Sequence, residues 1–125
     1  MSAHPQPEST GGKNIAMKLP PHVFEQTVAF YRDILRLPIA ENHEASVIVE
    51  FGAQNLWLDR VDHLSQAEIW LEIVADDIEE AAEHLNKKDI VRRDEIEPLP
   101  EGFAGFWICN PGNVIHLVAQ KSDSG

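Results

Sequence analysis

The chain has 125 residues, the size of one ordinary domain and long enough to bury a core without disulfide or metal staples. Lys and Arg number 10 against 21 Asp and Glu, a formal charge of −11. That balance argues against nucleic acid and against an anionic membrane surface, which both attract clustered cations. The single cysteine, Cys109, excludes a disulfide framework within the chain and a Cys-rich zinc site, and it suits a reducing cytoplasm.

In chain order, residues 1–12 are rich in Pro, Gly and Ser. They have neither the basic nor the apolar region of a signal peptide and read as a flexible leader. Residues 13–120 read as one domain and residues 121–125 as a polar tail. No apolar run approaches the length of a membrane span. Asn14-Ile15-Ala16-Met17-Lys18-Leu19 alternates polar or small with apolar, the period of a half-buried strand. Pro20 and Pro21 break that strand from a helix predicted over about His22 to Leu35, with Phe24, Val28, Tyr31, Ile34 and Leu35 on its buried face. An extended stretch at Leu37 to Glu41 follows. Val47 to Phe51 and Asn55 to Asp59 then predict a hairpin.

The same order repeats. Glu68-Ile69-Trp70-Leu71-Glu72-Ile73 matches the first strand in phase at an offset of 54, which also carries Phe24, Val28 and Tyr31 onto Ile78, Ala82 and Leu85. The second helix is predicted over about Asp77 to Asn86. Asp76 or Asp77 is its N-cap, and Glu79 and Glu80 sit at the positive end of the dipole. Asp89 to Glu95 takes the place of the next strand, and Pro98 to Gly102 reads as a loop. Phe106 to Cys109 and Val114 to Val118 form a second hairpin across Asn110-Pro111-Gly112-Asn113. Here an offset of 59 aligns Ile48 with Trp107 and Trp57 with His116.

The fold class is therefore α+β: two βαβββ modules, residues 13–60 and 67–120. Side by side they form a curved mixed sheet with a concave cavity and helices outside. A ferredoxin-like sandwich with an accidental repeat is the alternative topology.

Two segments carry a resemblance to a known family. Val28-Ala29-Phe30-Tyr31-Arg32-Asp33-Ile34-Leu35-Arg36-Leu37 resembles the "FYRDvLGL" helix end of the vicinal oxygen chelate superfamily. Asn110-Pro111-Gly112-Asn113-Val114-Ile115-His116-Leu117 resembles its closing "DPDGNxIEL". That superfamily of paired βαβββ modules includes glyoxalase I, bleomycin-resistance proteins and extradiol dioxygenases. One fold there hosts many activities.

The resemblance implies that metal-binding members take ligands from inward side chains on the first and last strand of each module. Those positions are here Asn14, Trp57, Glu68 and His116, where the family pattern has His or Gln, Glu, His and Glu. Only Glu68 and His116 are strong ligands, and their identities are exchanged. Asn14 offers a carbonyl oxygen and Trp57 offers nothing, whereas a catalytic divalent site normally wants three protein ligands. The resemblance thus implies an incomplete set and argues against glyoxalase I or extradiol dioxygenase activity. No metal or other cofactor is expected.

Residues in phase with those four should share their face: Ala16, Lys18, Asn55, Asp59, Trp70, Glu72, Val114 and Val118. The opposite phase, Ile15, Met17, Leu19, Leu56, Leu58, Ile69, Leu71, Ile73, Ile115 and Leu117, is uniformly apolar and belongs under the helices. A concave, partly aromatic surface with a few polar groups describes a small-molecule site. The expected ligand-binding set is Asn14, Lys18, Asn55, Trp57, Asp59, Trp70, Glu72 and Trp107. In the competing reading Trp57 and Trp70 simply fill the space. Trp107 is either pocket lining or hairpin core. Glu68 and His116 are the candidate catalytic pair, because a carboxylate beside an imidazole makes an acid–base couple near neutral pH. They can equally be a structural pair.

Cys109 reads as a buried small hydrophobe. His4, His22, His43, His63 and His84 share no metal-like spacing, and no Gly-rich phosphate loop or Gly-x-Ser-x-Gly elbow occurs. The expected function is a glyoxalase/bleomycin-resistance-like protein that binds a small organic ligand, with a cationic one favoured by the charge. A divalent-metal-dependent lyase, isomerase or dioxygenase with a divergent ligand set is the alternative, and a degenerate fold with a filled pocket is another. A homodimer is expected.

Overall fold

The computed structural model describes residues 8–121. The first seven residues of the expected leader, and 122–125 of the expected tail, lie outside them. The described residues hold seven strands, two α-helices and one π-helical turn. The class is mixed α+β, as the repeat predicted. Among the described residues no helix is long and apolar enough to cross a membrane.

The chain divides into two compact units. Among the described residues, one is 13–71 and the other is 72–121 together with 8–12. Strand β1, Ser9–Leu19, contributes to both, as does β5, Glu68–Ala75. β1 begins earlier than the alternation suggested. At its start Glu8 is tied to Asp76, whose backbone N–H donates to Glu8 O at 3.1 Å and whose Oδ1 accepts from Glu8 N at 3.0 Å.

In the first unit, α1 (Pro21–Ala29) follows β1 as predicted. Pro20 holds an extended backbone and Pro21 occupies the first helical turn, where its missing N–H costs nothing. Strands β2 (Ile39–Asn42), β3 (Ser46–Phe51) and β4 (Gln54–Arg60) complete the unit. Their spatial order is β2-β3-β4-β1. β4 runs parallel to β1, and the other pairs are antiparallel. Edge strand β2 has four residues, follows Pro38, and is bulged between Ile39 and Glu41. Phe24 and Val28 of α1 close a core with Leu19, Val47, Val49, Leu56 and Leu58; Ile15 and Met17 pack against it. The period-two assignment of β1 and β4 therefore holds.

The end of α1 departs from expectation. Phe30–Ile34 is a π-helical turn, closed by Leu35 N donating to Phe30 O at 2.9 Å. A five-residue repeat breaks the angular register that placed Ile34 and Leu35 inward, and the two side chains are 71% and 48% exposed. Arg36 then takes a left-handed φ of 58°, at the position where the "FYRDvLGL" pattern has its glycine. Such a conformation costs a residue with a Cβ roughly 1 kcal/mol.

In the second unit, α2 (Ile78–Lys87) is capped by Asp77, whose side chain accepts from Glu79 N and Glu80 N, both at 3.1 Å. Asp89, at φ 63°, ends it, with Ile90 N donating to Leu85 O at 2.9 Å. That six-to-one bond is the Schellman closure, here made by Asp rather than Gly. The strand expected at Asp89 to Glu95 is absent. The segment makes a backbone bond to the strand that holds Trp107, Arg93 N to Trp107 O at 2.7 Å. Its charges pair locally, Arg92 with Asp94 at 2.9 Å and Arg93 with Glu95, and nothing in the run alternates.

β6 (Gly105–Cys109) and β7 (Ile115–Gln120) make the predicted hairpin. β7 lies between β5 and β6. Ala75, Ala81, Phe106 and Val118 form the core of this unit, with Ile73, Ile78, Ala82, Leu85 and Ile108 against it.

Candidate functional site

The first unit gathers seven of the ten expected site residues. The pairing of β1 with β4 sets Asn14 opposite Asn55, Ala16 opposite Trp57 and Lys18 opposite Asp59. The pairing of β4 with β3 adds Glu50 beside Asn55, Ile48 beside Trp57 and Ser46 beside Asp59. These residues share the sheet face away from α1, because their neighbours Ile15, Met17, Leu56 and Leu58 are with the helix. The face is thus ordered in three rows: amide groups, then Trp57 between two apolar neighbours, then a charged row.

Hydrogen bonds fix the rows. Trp57 Nε1 donates to Asn14 Oδ1 at 2.9 Å, and Asn55 Nδ2 donates to the same oxygen at 3.3 Å. In the charged row Lys18 Nζ donates to Asp59 Oδ2 at 3.0 Å, and Ser46 Oγ donates to Asp59 Oδ1 at 2.6 Å. Lys18, only 7% exposed, also lies over the Trp70 ring, 4.3 Å from its centroid, a cation–π contact. Trp70 Nε1 in turn donates to Glu68 Oε1 at 3.0 Å. Glu68 and Trp70 are therefore neighbours in one chain of contacts that runs through Lys18 to Asp59 and Ser46. Ser46 was not expected here. Its signal was available in the phase of β3, since it alternates with the buried Val47.

The remaining three residues lie in the second unit. Glu72 sits against Gly12: a Cβ at that position would meet the Glu72 carboxylate, so a larger residue there would have to displace that side chain. Trp107 is 5% exposed, and its Nε1 donates to Glu97 O at 2.8 Å. It belongs to the hairpin's buried surface beneath the 89–104 segment, the second of the two alternatives.

His116 requires a correction. It was expected on the face of Asn14 and Trp57, with Val118. Val118 instead packs with Ala81 of α2, and His116 shares its side of β7 and lines a cavity with Ala81 and Leu85. The physical reason is a longer turn. Core residues Val47 and Phe106 correspond at an offset of 59, whereas Leu58 and Val118 correspond at 60. Two residues separate the paired Phe51 and Gln54, and five separate the paired Cys109 and Ile115. The second turn is longer by an odd number of residues, and the one-residue change of offset exchanges the faces of β7. Ile115 and Leu117 then lie opposite the helix. Ile69 and Leu71, also expected under a helix, are exposed; among the described residues the core that α1 closes takes none from β5.

Two carboxyls are held below their ordinary range, both by a hydrogen-bonded arginine: Asp33 by Arg32 and Glu95 by Arg93. Both pairs are exposed. Among the described residues, no three His, Cys, Asp or Glu side chains are grouped to hold a metal ion.

No protein-family model and no curated protein matches the chain by sequence. Solved structures do. A Mn(II)-bound glyoxalase from Novosphingobium aromaticivorans is 15% identical with a TM-score of 0.66, over 91% of this chain and 40% of its own. A glyoxalase/bleomycin resistance protein/dioxygenase superfamily member from Vibrio splendidus is 14% identical with a TM-score of 0.58, over 90% of this chain and 100% of its own. The fold is that of the vicinal oxygen chelate superfamily. A variant of homoprotocatechuate 2,3-dioxygenase from Brevibacterium fuscum is 14% identical with a TM-score of 0.63, over 97% of this chain and 35% of its own. The chain thus spans well under half of the glyoxalase and of the dioxygenase, and the full length of the Vibrio protein.

Proposed function

We propose that the chain binds a small organic ligand on the polar and aromatic face of its first unit, without a complete catalytic metal site. The observation that carries this reading is the placement of Trp57. Its half-buried ring stands between Ile48 and Ala16, is anchored through Nε1 by Asn14, and has polar rows on both sides. A fixed aromatic platform with a few convergent polar groups is the ordinary composition of a small-molecule site. Glu68 and the formal charge of −11 favour a cationic ligand.

The donor chemistry supports the metal-free part. Of the four positions the resemblance marks, Trp57 has no ligating atom and Asn14 Oδ1 already accepts two N–H bonds. Glu68 accepts from Trp70, and His116 belongs to the α2 side of its own unit. The cytoplasmic location is part of the same reading and rests on the lone thiol of Cys109.

A panel of small aromatic cations and neutral aromatics, followed by tryptophan fluorescence, tests the site. Saturable quenching is expected. Trp57→Ala should weaken it at least tenfold, about 1.4 kcal/mol or more, while the fold loses less than a fully buried aromatic would. A stability loss of roughly 3–5 kcal/mol with no ligand found in the panel would instead make Trp57 filling. Elemental analysis after incubation with Fe²⁺, Mn²⁺, Ni²⁺ and Zn²⁺ tests the rest: about one metal retained per chain would overturn the metal-free assignment and favour a lyase or dioxygenase.

We also propose that two copies pair through Phe30, Ile34, Leu35 and Phe51, which are exposed; Phe30 and Phe51 meet Tyr31 through ring contacts of 5.1 and 6.5 Å, and Ile34 and Leu35 lie at the end of the same π-helical turn as Phe30. Light scattering at micromolar concentration should give twice the chain mass, and Ile34→Glu should return it to the monomer. A monomer throughout would refute the pairing.

A further inference from the structure

We propose that the second unit carries a ligand pocket of its own, between α2 and the sheet, which takes a single-ring apolar molecule bearing a hydroxyl group. It lies on the helix side of its unit and is independent of the Trp57 face. A cavity of about 290 Å³ is lined by apolar residues of α2 and the sheet, Leu85, Ile108 and Val118 among them, with the polar side chains of Ser9, His84, Asn110 and His116 around them. That volume is at the small end for ligand sites, which start near 300 Å³, and it limits the occupant to about one ring. The cavity exists because the helix offers alanines: Ala81 and Ala82 face a sheet that larger residues would have reached.

His116 defines the chemistry. Its Nδ1 is 3.0 Å from the backbone oxygen of Val114. A carbonyl oxygen only accepts, so Nδ1 carries the proton and the neutral ring presents Nε2 as a bare acceptor. No hydrogen bond to Nε2 is made among the described residues. A half-buried acceptor in an apolar wall is matched by an O–H donor, and a phenol supplies both the donor and the apolar ring. A carboxylate places acceptor against acceptor, and an unsubstituted ring leaves Nε2 desolvated and unpaired, which costs affinity. The order expected is therefore phenol first, toluene second and benzoate last.

The full-length chain at pH 8 is titrated with phenol, toluene and benzoate and followed by amide chemical shifts. Phenol should give saturable shifts at Leu85, Ile108 and Val118, and about tenfold tighter binding than either analogue. His116→Leu should abolish that preference while toluene still binds. Ala81→Leu, which fills the cavity, should remove binding of all three with the amide spectrum of the rest of the chain retained. No saturable shift in the native protein, equal affinity for phenol and toluene, or unchanged phenol preference in His116→Leu would overturn the proposal. Quenching of Trp57 reads the other site, so failure of one assignment leaves the other standing.

Discussion

Phe106→Ala should cost the protein roughly 3–5 kcal/mol, the range for a fully buried aromatic reduced to alanine. Phe106 is 1% exposed and shares its cluster with Ala75, Ala81 and Val118. Two of those three partners are alanines, so the ring is the largest fully buried side chain between α2 and β6 and β7. The gap cannot close easily, because Ala75 and Ala81 have no longer side chain to move into it. The Arg92 guanidinium, 4.8 Å from the ring centroid, loses its partner as well. Against a total of about 5–15 kcal/mol for an ordinary domain, a loss of this size leaves a large unfolded fraction on mild warming. Urea denaturation followed by circular dichroism measures it. A cost below about 1 kcal/mol would show that this ring is not the centre of the second unit's core.

The second large effect is expected at Asp59. Its carboxylate is the counter-charge of Lys18 at 3.0 Å, and their side chains are 9% and 17% exposed for Lys18 and Asp59. Removing one partner of a buried ion pair is strongly destabilising, because the other charge stays in a dry site. Partial solvent screening at Asp59 reduces the figure, so Asp59→Ala should cost about 2–4 kcal/mol. It also deprives Ser46 Oγ of its 2.6 Å acceptor. The double variant Lys18→Met, Asp59→Leu should recover most of the loss, since well-packed apolar residues often replace a buried pair at no cost. Thermal unfolding of the three proteins gives the comparison. A single-variant cost near zero would mean that the ammonium reaches water. Failure of the double variant to recover would mean that the Trp70 contact, rather than the charge pair, organises this row.

The charged row was readable in the sequence, and the reason is local. β1 and β4 alternate strictly, so the phase of Ile15 and Leu56 determines that of Asn14, Lys18, Asn55, Trp57 and Asp59. The repeat also placed both helices and both hairpins. What the sequence concealed were single-residue irregularities. The π-helical turn at Phe30–Ile34 leaves the helical pattern of Ile34 and Leu35 intact on paper while turning both outward. The longer Asn110 turn keeps the closing motif recognisable while moving His116 to the other face of β7. The missing strand after α2 had fewer signals still: Arg92, Arg93, Asp94 and Glu95 satisfy one another's charges, and Asp89 adopts a helix-ending conformation in which Asp is tolerated. Each of these depends on backbone geometry that side-chain periodicity does not encode.

The edge strand β2 has one more consequence. An exposed edge invites another chain to dock its own backbone there, the first step of fibril growth. β2 is four residues long, its pairing slips at Ala40, Pro38 precedes it without a donor, and Glu41 and Glu44 bring negative charge to its rim. An incoming strand would find too few aligned donors and acceptors to register against, and identical copies would repel there. The first unit can therefore display a partly apolar face without that edge becoming a template for amyloid.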